Sequence, residues 1–156
     1  MTGPINLAAL QKAHKRFLLD QDRAVDKSLD EAGDHAAHHV KTHSKFKRRS
    51  AARSVKDSTR HRVVKTKGGK VVRITNSKKR GGYDVSAGLE SGTRPHTIRA
   101  KGKVLRFRAG GRLMFRRSVQ HPGTPAYRFL FNATNAANRF MGGRLSSRLS
   151  RLARRF

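Results

Sequence analysis

The sequence predicts an α+β fold in which a long N-terminal helix precedes a small antiparallel β-sheet, with C-terminal helices packed on that sheet. Three observations support this prediction. Apolar residues recur at helical spacing in the first third of the chain, alternate with a period of two in the middle, and return to helical spacing near the C-terminus. The 156 residues are enough for one domain with extensions.

The charge is divided unevenly along this chain. The first 34 residues hold five basic and six acidic side chains, a net charge of −1, whereas residues 35–156 carry a net charge of +29. A body this cationic repels itself, so we expect a polyanion or an acidic protein surface beside it. Leu, Ile, Val and Phe total 33 residues, which predicts a small core completed by partners.

Neither a membrane span nor a secretion signal is visible in the sequence. No apolar run reaches the roughly 20 residues that cross a bilayer, and the N-terminus lacks the apolar region of a signal peptide. Cysteine is absent, which excludes disulfides and thiol chemistry. We therefore expect a soluble protein made in a cytoplasm.

Residues 5–49 are predicted to form one long helix. Its apolar seam recurs at steps of three, four or seven. The seam comprises Leu7, Leu10, Phe17, Leu18, Val25, Leu29, Ala32, Ala36, Val40 and Phe46. Asn6 is expected to cap the start of the helix. Gly33 lowers helix stability by about 1 kcal/mol relative to Ala, so the sequence leaves open whether the helix continues through it.

A basic linker and a hairpin are predicted to follow this helix. The stretch 47–62 is basic and rich in Ser, which indicates a solvated linker or loop. Residues 62–65 and 71–74 then alternate around the Gly68-Gly69 pair, and these glycines supply the positive φ that a tight hairpin needs.

Further strands are predicted in the middle of the chain. Residues 83–89 alternate apolar and polar side chains, as a half-buried strand does. Residues 105–107 and 113–115 alternate in the same way around the Gly110-Gly111 turn. The resulting antiparallel sheet would have one apolar and one cationic face.

Two helices are predicted to end the chain. Thr124 is expected to cap the first, with Pro125 at its first helical position and Gly142-Gly143 at its end. The second, residues 144–156, places leucines on one side and arginines on the other. The predicted segments are 1–49 (long helix), 50–62 (basic linker), 63–141 (α+β domain) and 142–156 (Arg-rich helix). The predicted core comprises Tyr83, Val85, Leu89, Leu105, Phe107, Leu113, Phe115, Phe129, Leu130 and Ala133.

Metal binding and catalysis are poorly supported by the sequence. His35, His39 and His43 are spaced by four residues, but the outer two lie about 12 Å apart along a helix, so the three cannot bind one ion. Outside the first 34 residues only Asp57, Asp84 and Glu90 are acidic. No nucleophile or nucleotide-binding motif accompanies them. We therefore predict no enzyme, no metal site and no cofactor.

Two cationic clusters are the candidate contact sites for DNA or for an acidic partner. One is a loop that contains Lys78, Lys79 and Arg80, and the other is the terminal helix with Arg144, Arg148, Arg151, Arg154 and Arg155. The leucine stripe of the terminal helix favours docking on protein, whereas the loop cluster stays open to DNA. Base-reading motifs and an aromatic platform for single strands are absent, so any DNA contact would be with the phosphate backbone.

A set of short motifs occurs between residues 83 and 137. The set comprises a Glu-x-Gly-Thr turn, a His-x-Ile strand, a Leu-x-Phe strand and a His-Pro-Gly-Thr turn before Phe129-Leu130. The turn residues of the set are Glu90, Gly92, Thr93, His96, His121, Pro122, Gly123 and Thr124. In content and order the set, which covers about a third of the chain, resembles the neck or tail-completion proteins of long-tailed bacteriophages, also described as head–tail joining or minor tail proteins.

The resemblance implies a structural role without catalysis. A virion protein of this kind would form a homo-oligomeric ring, expected here as a hexamer, at the neck or tail top, where it joins the tail to the DNA-filled head. Its partners would be neighbouring neck and tail-top proteins and, without sequence preference, packaged DNA; no membrane is expected. The alternative is a sequence-independent nucleic-acid-binding protein of ribosomal or nucleoid type, which the composition alone suggests.

Overall fold

The computed structural model describes residues 6–46, 50–80 and 82–155, and the predicted α+β class is confirmed. A long N-terminal helix, small antiparallel sheets and a long C-terminal helix make up the described fold. The helices are α1 (Leu7–His43), α2 (Ser50–Asp57), α3 (Val85–Ser91) and α4 (Phe129–Ala153). The strands are β1 (Arg60–Thr66), β2 (Gly69–Thr75), β3 (Lys79–Arg80), β4 (Tyr83–Asp84), β5 (His96–Arg99), β6 (Leu105–Ala109), β7 (Arg112–Arg116) and β8 (Ser118–His121).

Helices α1 and α4 run antiparallel and form most of the core. His35 of α1 stacks on Phe140 of α4, with ring centroids 4.5 Å apart, while Arg148 further along α4 contacts the earlier residue Ser28. Alanines on both helices are buried where the helices meet, and such small side chains let two helix axes approach closely. The main cluster comprises Ala32, Ala36, Val40, Phe46, Val55, Phe129, Ala133 and Ala137.

Helix α1 is continuous through Gly33 but shorter at its C-terminal end than predicted. Asn6 caps it as expected, because its side chain accepts a hydrogen bond from the amide of Ala9 at 3.1 Å. The helix ends at His43, and Ser44 takes an extended conformation. The chain therefore turns, and this turn brings Phe46 into the core. The predicted residues 5 and 47–49 lie outside the described residues.

The predicted linker 50–62 is wrong. Ser50–Asp57 forms α2, and Arg60 already belongs to β1. Val55 on α2 is fully buried, and its carbonyl accepts a hydrogen bond from the side-chain amide of Asn76 at 2.6 Å. The segment is amphipathic, with Ala52 and Val55 three residues apart, but its basic, Ser-rich composition led to the prediction of a linker.

The predicted hairpin is confirmed as β1 and β2, which pair in register from Arg60 opposite Thr75 to Thr66 opposite Gly69. The hairpin lies along α1. Ile74 packs against the main cluster, and Gly69 has a φ of 127° at the turn.

The predicted strand at residues 83–89 is wrong after Asp84. Asp84 caps a helix instead, because its carboxylate accepts a hydrogen bond from the amide of Ala87 at 3.0 Å. Val85 and Leu89 are four residues apart, so one face of a helix presents both to the core. A spacing of four satisfies periods of 2 and 3.6 alike, and the Asp cap decides between them.

The C-terminal predictions also need correction. Thr124 caps no helix, since α4 begins at Phe129, and the Gly142-Gly143 pair interrupts nothing, since α4 runs on to Ala153. Each Gly costs about 1 kcal/mol relative to Ala, and packing along α1 offsets that cost. The helix packs chiefly on α1, with smaller contacts to α3 and β2. Phe156 lies outside the described residues.

Across residues 6–46, 50–80 and 82–155 the β-structure comprises four two-stranded pairs rather than one sheet with a buried face. Of the predicted core, Phe129 and Ala133 are buried, and Val85, Leu89 and Leu130 pack against them. Leu105 and Phe107 are half-buried within their own hairpin. Tyr83, Leu113 and Phe115 are 53%, 43% and 50% exposed, so their assignment to the core is wrong.

Candidate functional site

The turn motifs that carry the family resemblance meet in one place, although 34 residues separate their ends. Thr93 and Thr124 form an isolated antiparallel bridge in which each backbone amide donates to the other's carbonyl, at 2.9 and 3.1 Å. Gly92 (φ 75°) and Gly123 (φ 87°) flank the bridge. A side chain at Gly123 would overlap the carbonyl of Thr93, and one at Gly92 would come within 2.7 Å of the carbonyl of Thr124. Only Gly suits either position.

A pair of histidines follows this bridge. His96 opens β5 and pairs with His121 at the end of β8, with ring centroids 5.0 Å apart. The ring nitrogen Nδ1 of His121 accepts a hydrogen bond from the amide of Gly123 at 3.1 Å, across the intervening Pro122. The residues Glu90, Gly92, Thr93, His96, His121, Pro122, Gly123 and Thr124 are called the motif cluster below.

Glu90 joins the motif cluster to the helical body. Its carboxylate accepts hydrogen bonds from the backbone amides of Leu130 (2.8 Å) and Phe131 (3.1 Å) at the start of α4. The N-cap residue of α4, Arg128, has a φ of 47° and offers no side-chain acceptor. Glu90 therefore supplies the cap, and its charge suits the positive end of the helix dipole.

The four strands beyond the motif cluster form one long two-stranded ribbon, residues 94–121, called the arm. Strand β5 pairs with β8, and β6 pairs with β7 nearer the tip. The tip is the Gly110-Gly111 turn, with φ values of 54° and 79°. The four strands contact mainly one another, and no arm residue belongs to the main core cluster.

Every Lys, Arg, Asp or Glu position in the arm is a Lys or an Arg. It carries nine Lys and Arg residues, and the sequence contains no acid after Glu90. All nine are exposed: Arg94, Arg99, Lys101, Lys103, Arg106, Arg108, Arg112, Arg116 and Arg117. Among the described residues, none of the nine lies within ion-pair distance of a carboxylate.

A kink divides the arm into its inner and outer halves. Five residues, 100–104, lie opposite the single residue Arg117, because Arg99 pairs with Ser118 and Leu105 pairs with Arg116. The amide of Ala100 donates to the carbonyl of Arg117 at 2.9 Å. A concavity of about 730 Å³ opens there, and the cations that line it are Arg99, Lys103 and Arg117.

The two cationic clusters predicted from the sequence are both exposed, but their local structure differs from the prediction. Lys78 precedes a strand rather than lying in a loop with its neighbours, since Lys79 and Arg80 form β3. Arg144 and Arg151 lie on α4, and Arg154 and Arg155 follow its last residue, Ala153. The Arg144 guanidinium is 5.2 Å from the centroid of the Phe140 ring.

The expectation that Arg148 faces an outside partner is wrong. Its guanidinium donates to Ser28 Oγ at 2.7 Å and to Glu31 Oε1 at 2.6 Å, and only 15% of the side chain is exposed. The hydrogen bond from Arg148 is the main reason why the pKa of Glu31 is lowered. Arg148 therefore holds α4 on α1.

Four aspartates on successive turns of α1 contact two side chains of the β1–β2 hairpin, Lys70 and His61. Lys70 Nζ lies 2.7 Å from Asp26 and 3.5 Å from Asp22, and the hydrogen bond to Asp26 is the main cause of the raised pKa of Lys70. The two ring nitrogens of His61 face Asp30 at 3.1 Å and Asp34 at 3.9 Å.

Asp30, Asp34 and His61 also place one ligand atom each within 4.8 Å of one another, a spacing at which they could share a cation. Both nitrogens of His61 already face a carboxylate. A protonated ring would therefore form ion pairs with Asp30 and Asp34 without a metal ion.

The histidines of α1 make contacts within and between helices. His35 stacks on Phe140, and His39 stacks on His43 with centroids 4.5 Å apart. Burial lowers the pKa of His39, and the nearby His43, His35, Arg139 and His38 lower it further.

Sequence reasoning missed the arm as a site. The alternation of residues 105–115 predicts half of a buried sheet, with the arginines on its outer face. The available signal was the complete absence of acids after Glu90, which leaves the positive charge of the ribbon without a carboxylate close in sequence.

No protein-family model, curated protein or solved structure matches this chain. Within the described residues, none of the helices combines the length and apolarity that crossing a membrane requires.

Proposed function

We propose that this protein is a structural component of the bacteriophage head–tail junction, where it forms part of a neck or tail-completion ring that joins the tail to the DNA-filled head. The observation that carries the proposal is the motif cluster. Its turns are far apart in the sequence, yet the Thr93–Thr124 bridge unites them, and Glu90 ties them to α4. The motifs therefore form one structural unit, as they would if the whole set were shared with the neck family, and this supports the resemblance.

A non-catalytic role is part of the proposal. Two of the three acids beyond residue 34 are hydrogen-bonded to helix N-termini, since Asp84 caps α3 and Glu90 caps α4. Both carboxylates are therefore engaged by backbone amides of the chain itself. The third, Asp57, lies on α2.

The ring is proposed as a closed homo-oligomer of six copies, present in the virion after assembly in the host cytoplasm. The small core supports this part, because its buried apolar residues are mostly alanines. Exposed leucines on the first turns of α1, Leu7 and Leu10, offer apolar surface for contacts between neighbours. Repeated heterologous contacts about one axis close into a ring.

Deletion of the gene in a phage that encodes this chain is the test. We expect DNA-filled heads and separate tails in electron micrographs of the lysate, and joined infectious particles once the wild-type gene is supplied. A reconstruction of the wild-type neck should contain the protein as a ring. Joined, infectious particles made without the gene would overturn the proposal.

Point variants sharpen the same test. Gly123→Val should fail to rescue the deletion, because its side chain overlaps the Thr93 carbonyl at the motif cluster. Gly68→Ala is the control at the β1–β2 turn, because a methyl group there has nothing within 4 Å. Equal rescue by both variants would contradict a role for the motif cluster.

A further inference from the structure

The carboxylates of this protein are already used within the chain. Within the part of the chain that the structure describes, eight of the nine acids make a contact through their carboxylates, and Asp57 makes none. The eight are Asp20 with Arg23, Asp22 and Asp26 with Lys70, Asp30 and Asp34 with His61, Glu31 with Arg148, Asp84 with the amide of Ala87, and Glu90 with the amides of Leu130 and Phe131. A second copy would bring the same acids and a further charge of +28. This charge balance favours an anion from a different molecule as the partner of the arm.

The shape of the arm fits a nucleic-acid groove. The major groove of B-DNA is about 12 Å wide and admits a two-stranded β-ribbon. The β6–β7 half of the arm is such a ribbon, with a narrow Gly110-Gly111 tip, and among the described elements its two strands contact mainly each other. Cations occur on both of its strands, so they can reach the phosphates on both sides of a groove.

Cross-strand pairs place cationic and apolar side chains together on one face of the outer half of the arm. Arg106 pairs with Phe115 and Arg108 pairs with Leu113, so the four side chains share one face of the ribbon. Phe115 and Leu113 are half exposed there. Apolar side chains between arginines suit contact with sugars and base edges, while the arginines contact phosphates.

We propose that the arm binds duplex DNA through its phosphate backbone, with the Arg99–Lys103–Arg117 concavity at the kink as a phosphate site. Contacts with the phosphate backbone require no particular base sequence. The single amide side chain of the arm, Gln120, accepts a hydrogen bond from Thr97 at the base of the ribbon, and the outer half holds none of the Asn or Gln residues that read adenine. The proposal does not depend on the virion role, because a DNA-binding arm and a neck ring can each be present without the other.

The salt dependence of binding to a duplex of random sequence is the test. The triple variant Arg99→Gln, Lys103→Gln, Arg117→Gln removes the cations of the kink. Its matched control, Arg62→Gln, Lys65→Gln, Arg73→Gln, removes the same charge from exposed positions of the β1–β2 hairpin. Circular dichroism establishes that both variants are folded.

Each phosphate contact contributes about 0.9 to the slope of log K against log salt. We therefore expect the kink variant to lower the magnitude of that slope by roughly 2 to 3, and the control to lower it by less than about 1. Equal losses in both variants would mean that only the overall charge of the protein attracts DNA, and the proposal would be wrong.

A second comparison separates DNA from an acidic protein. Poly-glutamate should bind more weakly than duplex DNA at equal charge concentration, because it is flexible and offers no groove for the ribbon. If poly-glutamate binds as tightly as DNA and the kink variant weakens both alike, the arm recognises acidic protein, and the DNA proposal is overturned.

Discussion

The imidazole ring of His61 occupies the space beside Gly33 that the side chain of any other residue would fill. Asp30 and Asp34, on the preceding and same turns of α1, face the two nitrogens of this ring. A helix interior is an unfavourable place for Gly, yet here the missing side chain lets strand β1 lie directly on α1. Gly33, the residue of α1 with the lowest helix propensity, is therefore the point at which the hairpin packs on the helix.

Gly33→Ala should destabilise the protein by about 1–3 kcal/mol, because overpacking against His61 outweighs the gain of about 1 kcal/mol in helix propensity. Gly142→Ala is the matched control in α4, where a new methyl group meets nothing within 4 Å. That variant should stabilise the protein by about 0.5–1 kcal/mol. Denaturant unfolding measures both, and a gain in stability from both substitutions would contradict the packing of His61.

The elements that the sequence predicted correctly are those with a strong local signal. Asn6 before an amphipathic run predicted the start of α1. Paired glycines between alternating segments predicted the β1–β2 hairpin and the β6–β7 turn. These features depend on residues close in sequence, where capping and turn chemistry decide the conformation.

The errors occur where a distant residue decides the local structure. Residues 83–89 alternate like a strand, but the cap at Asp84 and packing against α4 make them a helix. Thr124-Pro125 has the form of a helix start, but Thr124 bonds to Thr93 and the cap of α4 comes from Glu90, 40 residues away. Pattern alone also could not separate a buried sheet from an exposed ribbon, because both alternate with a period of two.

Glu90→Ala should destabilise the protein by about 0.5–2 kcal/mol, the usual effect of losing a helix cap, because the amides of Leu130 and Phe131 lose their acceptor. Glu90→Gln should retain part of this stability, since the amide oxygen still accepts a hydrogen bond but carries no charge for the helix dipole. Thermal unfolding ranks the three proteins. If Gln and Ala are equally destabilising, the hydrogen bonds to α4 contribute nothing.

Phe129→Ala should destabilise the protein by roughly 3–5 kcal/mol, because the ring is 2% exposed and lies edge-on to Phe46 with centroids 5.4 Å apart. Phe131→Ala, two residues along the same helix, is the control, since that ring is 56% exposed. Its effect should stay within about 0.5 kcal/mol. Similar losses for both variants in chemical denaturation would show that the face of α4 is assigned wrongly.

Replacing residues 98–119 with a short Gly-Ser turn should leave the helical body folded. The arm shares no residue with the main core cluster, and its strands contact mainly one another. The melting temperature should therefore shift by less than about 4 °C, the change that about 1 kcal/mol produces in a protein of this size. Far-ultraviolet circular dichroism should retain the helical signal. Loss of that signal would show that the arm stabilises the body and is not an independent projection.

Acidification should destabilise the protein partly through His39. Burial and the surrounding His43, His35, Arg139 and His38 lower the pKa of His39 in the folded chain below its value in the unfolded chain. Between these two pKa values the unfolded chain binds more protons, so the free energy of unfolding falls as pH drops from above the ordinary histidine pKa of about 6.5 through the folded value.

His39→Gln should therefore flatten the dependence of stability on pH in this window, and urea unfolding at intervals between pH 7.5 and 5 measures the slope. The carboxyl of Glu31, whose pKa is lowered by Arg148, titrates at lower pH and acts equally in both proteins. His14→Gln is the control, because His14 is exposed on the N-terminal part of α1. If His39→Gln and His14→Gln give the same slope, burial of His39 has no part in the acid sensitivity of this fold.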